Sequence, residues 1–295
     1  MGGLMERKIS LGIPKGSLER TTLELFARAG WHINVSSRNY FPDIDDPEIS
    51  CSLAKAREMA LYVADGTLDV GLTGKDWCVE YGRQVVVVDD FLYSKASYQP
   101  ARWVLAVAGD SPYQCPEDLA GKKVATELVS VTRNWFAERG VPVTVEFSWG
   151  ATEAKVVSGL ADAVVEVTET GSTIRAHGLK IISEVMQTNT QFIANPAAWE
   201  DEFKRGKIKQ VAMLLKGALK AYGLVGLKLN VRERDAQAVI ELLPSLNAPT
   251  VAHLYKTDWL SVETVISDSV VRELIPRLLE RGAEGIIEYP LNKVL

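Results

Sequence analysis

The sequence is short of the residues that staple or metallate a protein. Among its 295 residues are three cysteines and three histidines. Cys51, Cys78 and Cys115 form an odd set without CxxC spacing, which argues against a disulfide framework and for reduced thiols in a cytoplasm. His32, His177 and His253 lie far apart without metal-ligand spacing, so no dedicated zinc site is expected. No apolar run approaches the roughly 20 residues that cross a bilayer, and MGGLMERKIS at the N-terminus lacks an apolar signal core. Membrane insertion and export are therefore not expected. Charge of one sign is also missing: 33 basic residues against 38 acidic ones leave a net charge of -5, with no bulk attraction to nucleic acid or acidic membranes. Any anion must be held by local placement.

What is present is apolar residue, 47% of the chain, enough for sizeable cores in two or three domains. Short β-branched runs alternate with helical patterns over the first two thirds. Lys8 to Ile13, Val70 to Leu72, Val85 to Val88, Arg102 to Ala108, Val124 to Thr126, Val143 to Phe147 and Ala163 to Val167 read as strands. The alternation predicts an α/β fold with a parallel, helix-covered sheet in each of two lobes. The break at Asp110, Ser111 and Pro112 places the exit from the first lobe near residue 108. Extended segments from Lys180 to Ile193 then return to that lobe, and Asn195-Pro196 opens a long amphipathic helix. The lobes are thus residues 1–108 with 188–222, and 109–187. Residues 223–295 follow a different order, βαββαβ, the ferredoxin-like pattern.

Chemistry concentrates between residues 150 and 182. The apolar strand Ala163 to Val167 leads into Thr168, Glu169, Thr170, Gly171, Ser172 and Thr173, with a helix expected from Ile174. Gly171 permits a tight turn, the hydroxyls can donate, and a helix N-terminus adds unpaired N–H groups; together they suit a phosphate monoester. Glu166 and Glu169 beside such a cradle call for a donor to accept from, and ribose hydroxyls supply it. A carboxylate four residues before Thr-Gly-x-Thr resembles the motif that binds 5-phosphoribosyl-1-pyrophosphate (PRPP). Val165 stands where the commoner motif has a second acid.

Other candidates sit where strands end. Lys15 and Gly16 follow the first strand, and Ser17 is placed to cap the next helix; Lys15 reads as a polyphosphate ligand or as a solvated loop lysine. CSLAKAREMALYVA, residues 51–64, reads as one helix on which Lys55 and Arg57 point in different directions. In ADGTLDVGLTGKDW, Gly74 offers close backbone approach, and Asp76 is either an acceptor for an adenine amino group or the cap of the following helix. Glu127 ends another strand, with a place facing the cleft or at a helix N-terminus.

GATEAKVVSGLADAVVEV and TGSTIRAHGLKII resemble the ATP phosphoribosyltransferase family, and LPSLNAPTVAHLYKTDWLSVETVI with GAEGIIEYPLNK resembles the C-terminal regulatory domain of that family's long form, which is similar to ACT domains. The resemblance covers residues 8 to 295. It implies a catalytic core like the type II periplasmic binding proteins, and transfer of phosphoribosyl from PRPP to N1 of ATP with release of pyrophosphate. It further implies Mg²⁺ as cofactor, L-histidine as inhibitor contacting Thr250, a homo-oligomer (hexamer, with a dimer as the smaller option) and no second catalytic subunit. On this reading Lys15, Arg57 and Glu166 are catalytic. PRPP falls to Glu166, Glu169, Thr170, Gly171, Ser172 and Thr173, and ATP to Lys15, Gly16, Gly74, Asp76 and Glu127. The competing expectations are a two-lobed small-molecule sensor without turnover, which DGTLDVGLTG also fits, and a phosphoribosyltransferase with another acceptor.

Overall fold

The computed structural model describes residues 7–36, 39–93, 100–244 and 248–295. Part of the N-terminal decapeptide and residues 245–247 of the C-terminal motif lie outside the described residues. The chain divides into two compact units: one holds residues 31–212 and the N-terminal stretch through Ala27, the other residues 213–295 with Arg28–Gly30.

The first unit contains two five-stranded sheets. Its elements begin β1 (Ile9–Lys15), α1 (Glu19–Ala29), the short ribbon β2 (Ile33–Asn34) and β3 (Asp43–Ile44), β4 (Ile49–Lys55) and α2 (Ala56–Ala64). They continue with β5 (Val70–Gly74), α3 (Lys75–Tyr81) and β6 (Val86–Phe91). The second sheet comes from β7 (Ala101–Ala108), β8 (Lys123–Thr126), α4 (Val129–Ala137), β9 (Thr144–Phe147), α5 (Thr152–Val157), β10 (Ala163–Thr168), α6 (Ser172–Ala176) and β11 (Leu179–Thr188). The unit closes with β12 (Thr190–Ala194), α7 (Pro196–Glu200) and most of α8 (Glu202–Lys220).

Strand order is β4-β1-β5-β12-β6 in one sheet and β11-β7-β10-β8-β9 in the other. In each sheet four strands run in one direction and the fifth, β12 or β7, is inserted antiparallel to both its neighbours. The inserted strand is the first after a crossing from the other lobe. Two lobes joined by two such crossings make the type II periplasmic-binding-protein architecture.

Four expectations need correction. The sheets are mixed rather than wholly parallel, because each crossing strand enters from the opposite side. β7 pairs with β10 and β11, so the strand ending at Ala108 belongs to the second lobe, and the first crossing lies between Phe91 and Ala101. The break at Asp110 is a turn inside the second lobe. Residues 51–64 are not one helix: Ile49 to Lys55 is strand β4, whose Ile49, Cys51 and Leu53 are buried in alternation, a period of two that the alanine-rich tail of the segment obscures. Nor is the helix after Asn195 continuous. The Asn195 side chain caps α7, and α8 starts afresh beyond Asp201.

The core lies on both faces of each sheet. Ala163, Val164 and Val165 of β10 are fully buried, alternately against the Leu119–Phe136 side and the Val156–Ile174 side. α8 packs onto the first lobe through Ile208 and Val211, and its buried Lys207 ammonium lies 2.7 Å from Asp46 and 2.8 Å from Glu48.

The second unit is β13 (Leu224–Arg232), α9 (Ala236–Ile240), β14 (Thr250–His253), β15 (Trp259–Ser267), α10 (Asp268–Glu280) and β16 (Ala283–Pro290), with a 3₁₀ turn leading into α9. All pairings are antiparallel in the order β14-β15-β13-β16, the ferredoxin-like arrangement. Leu227, Leu229, Val231 and Val262 face α9 and α10 through Val239, Leu274 and Leu278. The opposite face is polar.

Leu105 is fully buried in β7, the strand that knits β10 to β11. Leu105→Ala is expected to cost about 2–5 kcal/mol, read as a lower urea midpoint at unchanged slope. A shift equivalent to under about 0.5 kcal/mol, the range of surface substitutions, would show that β7 is not part of this core.

Candidate active site

Parallel strands set the location. β1, β4 and β5 end together on one edge of the first sheet, and β8, β9 and β10 on one edge of the second. Contacts between the loops that follow these ends show that the two carboxyl edges face each other, the position where open α/β sheets take ligands.

Lys15 and Lys55 are register partners at the ends of β1 and β4, so two ammonium groups leave the same edge side by side. The Lys15 Nζ lies 3.9 Å from the centre of the Tyr40 ring. Lys55 is exposed at the strand end, and Arg57 opens α2 beside it. From there the Arg57 guanidinium reaches the other lobe, 3.9 Å over the ring of Trp149. The sequence alone left open which of Lys55 and Arg57 faces the cleft. The break between β4 and α2 turns Arg57 toward the second lobe.

On the opposing edge, Thr168 to Thr173 form a tight turn between β10 and α6. The Thr168 hydroxyl accepts from Gly171 N at 2.8 Å, and Thr170 Oγ1 bonds Ser172 Oγ at 3.0 Å and accepts from Ser172 N at 3.3 Å. Gly171 has φ of 76°, and a Cβ there would meet the Arg175 guanidinium at 2.9 Å. Arg175 donates to the Thr170 carbonyl at 3.1 Å, which brings a cation to the loop that the sequence reading did not single out. The helix begins at Ser172, two residues earlier than expected, and is five residues long. So short a helix has little macrodipole, and the polar groups gathered at this turn are the hydroxyls and Arg175.

Glu166 is half-buried near the carboxyl end of β10, and its Oε1 accepts from Val167 N at 3.2 Å. Burial pushes its carboxyl up to about 7, with the Glu153 charge adding to the rise and Glu127 adding less. The Thr152 hydroxyl tempers the shift although it makes no hydrogen bond of normal geometry. Glu127 itself accepts from Gly150 N at 3.3 Å. Three acids therefore share one wall, facing the bases of the other. Among the described residues no group of three or more His, Cys, Asp or Glu side chains converges as a metal site.

Two expected nucleotide contacts are built differently. Asp76 is buried in the first turn of α3, where Oδ2 accepts from Trp103 Nε1 at 2.7 Å and Oδ1 from Trp77 N at 3.0 Å. Its own N–H donates to Thr188 Oγ1 at 3.2 Å. The carboxylate thus joins the lobes, and its two oxygens are occupied by protein donors. Gly74 makes room for it: a Cβ at residue 74 would lie 2.0 Å from Asp76 Oδ1. The sequence showed neither, because Trp103 is 27 residues away and meets Asp76 only when the sheets are assembled. Glu80, on the same helix, receives Ser130 N at 2.9 Å and Val131 N at 3.0 Å, so α3 of one lobe caps α4 of the other.

The thiols stand outside this chemistry. Burial pushes Cys51 and Cys78 up to about 12, which keeps them protonated. In the second unit Thr250 lines a recess of about 460 Å³ with Lys228, Asn230, Ser261 and Glu263 on the helix-free face of the sheet.

Fold and cleft define a two-lobed α/β protein whose lobes set a basic wall against an acidic one. Known proteins narrow this further. Residues 55–217 match the model of the ATP phosphoribosyltransferase family, and residues 221–293 match that of its C-terminal domain. The ATP phosphoribosyltransferase of Desulfatibacillum aliphaticivorans is 67% identical over 99% of this chain and 100% of its own, and that of Geotalea uraniireducens is 55% identical over the same shares. Among solved structures, the ATP phosphoribosyl transferase (HisG:HisZ) complex from Thermotoga maritima shares the fold, with a TM-score of 0.61 at 23% identity over 72% of this chain and 98% of that one. The chain belongs to the ATP phosphoribosyltransferase family.

The raised Glu166 carboxyl has a consequence for stability. Below about 4.5, its unperturbed value, the group is protonated whether the chain is folded or not. As pH rises toward about 7 the unfolded chain releases the proton first, so folding stability falls across that window and stays lowered above it. Glu166→Gln is expected to melt higher than the parent at pH 8 and alike at pH 4. A parent that gains relative stability as the pH rises would show that Glu166 is ion-paired instead.

Proposed function

We propose that the opposed carboxyl edges, with Lys15, Arg57 and Glu166 at their centre, are where this chain carries out its family's reaction. That reaction joins the 5-phosphoribosyl group of PRPP to N1 of the adenine of ATP, giving N1-(5-phospho-β-D-ribosyl)-ATP and pyrophosphate, the first step of histidine biosynthesis. The observation that carries the placement is the pairing of walls: Lys15, Lys55 and Arg57 on one sheet edge, Glu166 and the hydroxyl turn on the other.

The chemistry asks for positioning more than for proton transfer. The C1–O bond to pyrophosphate breaks as the N1–C1 bond forms on the opposite face, and N1 already carries a lone pair. Glu166, seconded by Glu169, accepts from the ribose hydroxyls. Thr170, Gly171, Ser172 and Thr173 hold the 5′-phosphate, with Arg175 behind them. Lys15 and Arg57 neutralise polyphosphate charge as pyrophosphate departs, where fixed cations act without reorganising. Gly16 and Glu127 border the space left for ATP; Gly74 and Asp76 serve it indirectly, by fixing the angle between the lobes.

Mg²⁺ fits as a companion of the pyrophosphate rather than as a resident ion, since it often keeps most of its shell as water and phosphate oxygens and the acids of this wall do not converge as a metal site among the described residues. Bound there it would offset charge on the leaving group. For the second unit, the recess at Thr250 offers an acid, a base and hydroxyls to an amino acid, which supports feedback inhibition by L-histidine. We assign the assembly as a homo-hexamer acting without a second catalytic subunit.

The test is pyrophosphate release with Mg²⁺, ATP and PRPP, omitting each substrate in turn and then adding histidine. Release is expected to need both substrates and to fall with histidine; release indifferent to histidine would leave the second unit to assembly alone. Saturable binding of one small molecule without release would favour the sensor. Glu166→Gln should lose about 1.5–3 kcal/mol of transition-state stabilisation through its charge-assisted ribose contact. Unchanged turnover and PRPP affinity would remove it from the site. Lys15→Ala should weaken polyphosphate binding at an unchanged melting temperature, whereas a collapse in melting temperature would make the lysine structural.

A further inference from the structure

The connection between β9 and α5 holds features that the roles above leave unused. Phe147 and Trp149 are 48% and 68% exposed, with rings edge to face at 5.3 Å. Ser148 between them is buried at 1% exposure, and its hydroxyl has no hydrogen-bond partner. Ala151 has φ of 46°, a left-handed conformation that a non-glycine residue takes uncommonly. Across the cleft, Arg57 covers the Trp149 ring. A strained loop that presents two aromatic rings to a charged cleft is built to receive a flat partner.

We infer that Trp149 is the surface on which the adenine of ATP stacks, and that it thereby selects the acceptor, while Arg57 covers the ring only when the cleft is empty. The inference rests on placing the reaction in this cleft. Of all the parts of both substrates, adenine alone is a flat aromatic surface; ribose and phosphates offer none. A guanidinium held over an indole keeps its N–H groups free to turn to a polyphosphate, for which its planar fork is better matched. ATP would therefore exchange one covering for another: base onto Trp149, phosphates onto Arg57. Position agrees. The loop runs directly into α5, whose Thr152 and Glu153 lie beside Glu166, so a base on Trp149 lies on the wall that holds the ribose of PRPP.

The test separates base from phosphate. ATP, inorganic tripolyphosphate and PRPP are each titrated into the full-length parent, W149A, W149F and R57A, with KM for both substrates measured alongside. For W149A we expect ATP affinity to fall about five- to 150-fold, the range for loss of one base stack. Tripolyphosphate and PRPP should stay within about twofold, and W149F should recover most of the ATP affinity through its remaining ring. R57A should weaken ATP and tripolyphosphate together, and PRPP as well through its pyrophosphate. ATP binding unchanged in W149A, or tripolyphosphate weakened as much as ATP, would overturn the inference, the latter leaving Trp149 as a support for Arg57. Unchanged binding of every ligand in both R57A and Glu166→Gln would instead show that the cleft itself is misplaced. Melting temperatures equal to the parent exclude misfolding; W149L, which keeps apolar bulk without a ring, repeats the comparison if W149A unfolds early.

Discussion

The cleft depends on one buried carboxylate. Asp76 sits where the first sheet hands over to α3, and it accepts from an indole of the second sheet, so the angle between lobes is held by a hydrogen bond with little water around it. Burial pushes its carboxyl up, opposed by the donors from Trp103, Trp77 and Thr188. Such a group makes a hinge expensive to distort, because separating the two would leave the indole N–H and Asp76 Oδ2 buried without each other. Glu80 repeats the device one turn on, with its charge at the N-terminus of α4. Trp77 and Trp103 pack edge to face between them, 6.4 Å apart.

With the lobes so joined, the electrostatics of the cleft follow from strand direction. Parallel strands put Lys15 and Lys55 on one edge although 40 residues separate them in sequence, and the same rule places Glu127 and Glu166 on the facing edge. A net charge of -5 over the whole chain conceals this separation. Glu166 is caught between needs: it accepts from Val167 N, but the acids around it and its burial favour the protonated form.

Two-lobed organisation was legible because buried strands are short, β-branched and punctuated, and the βαββαβ order of the last unit can be read from its alternation alone. The hydroxyl turn at Thr168 to Thr173 was legible for a related reason: its atoms are local, and a glycine between hydroxyls marks a turn in one dimension. The errors share a cause as well. Residues 51–64 look helical because Ala54, Ala56 and Ala60 carry helix propensity, yet β1 supplies a partner for the first half and pairing overrides propensity. The strand at Arg102 to Ala108 was placed in the wrong lobe because nothing within it says which sheet it will join.

The sequence by itself determined the family, the kinds of elements and the groups available for catalysis, since these rest on local pattern and on the identity of the residues. Tertiary structure alone decided what each group faces. Asp76 met Trp103, Arg57 rather than Lys55 crossed to the other lobe, and Trp149 and Arg175 came to the cleft unannounced. The physical reason is that contacts between residues tens to over a hundred positions apart are set by sheet order and the insertion of crossing strands, and no local spacing encodes either.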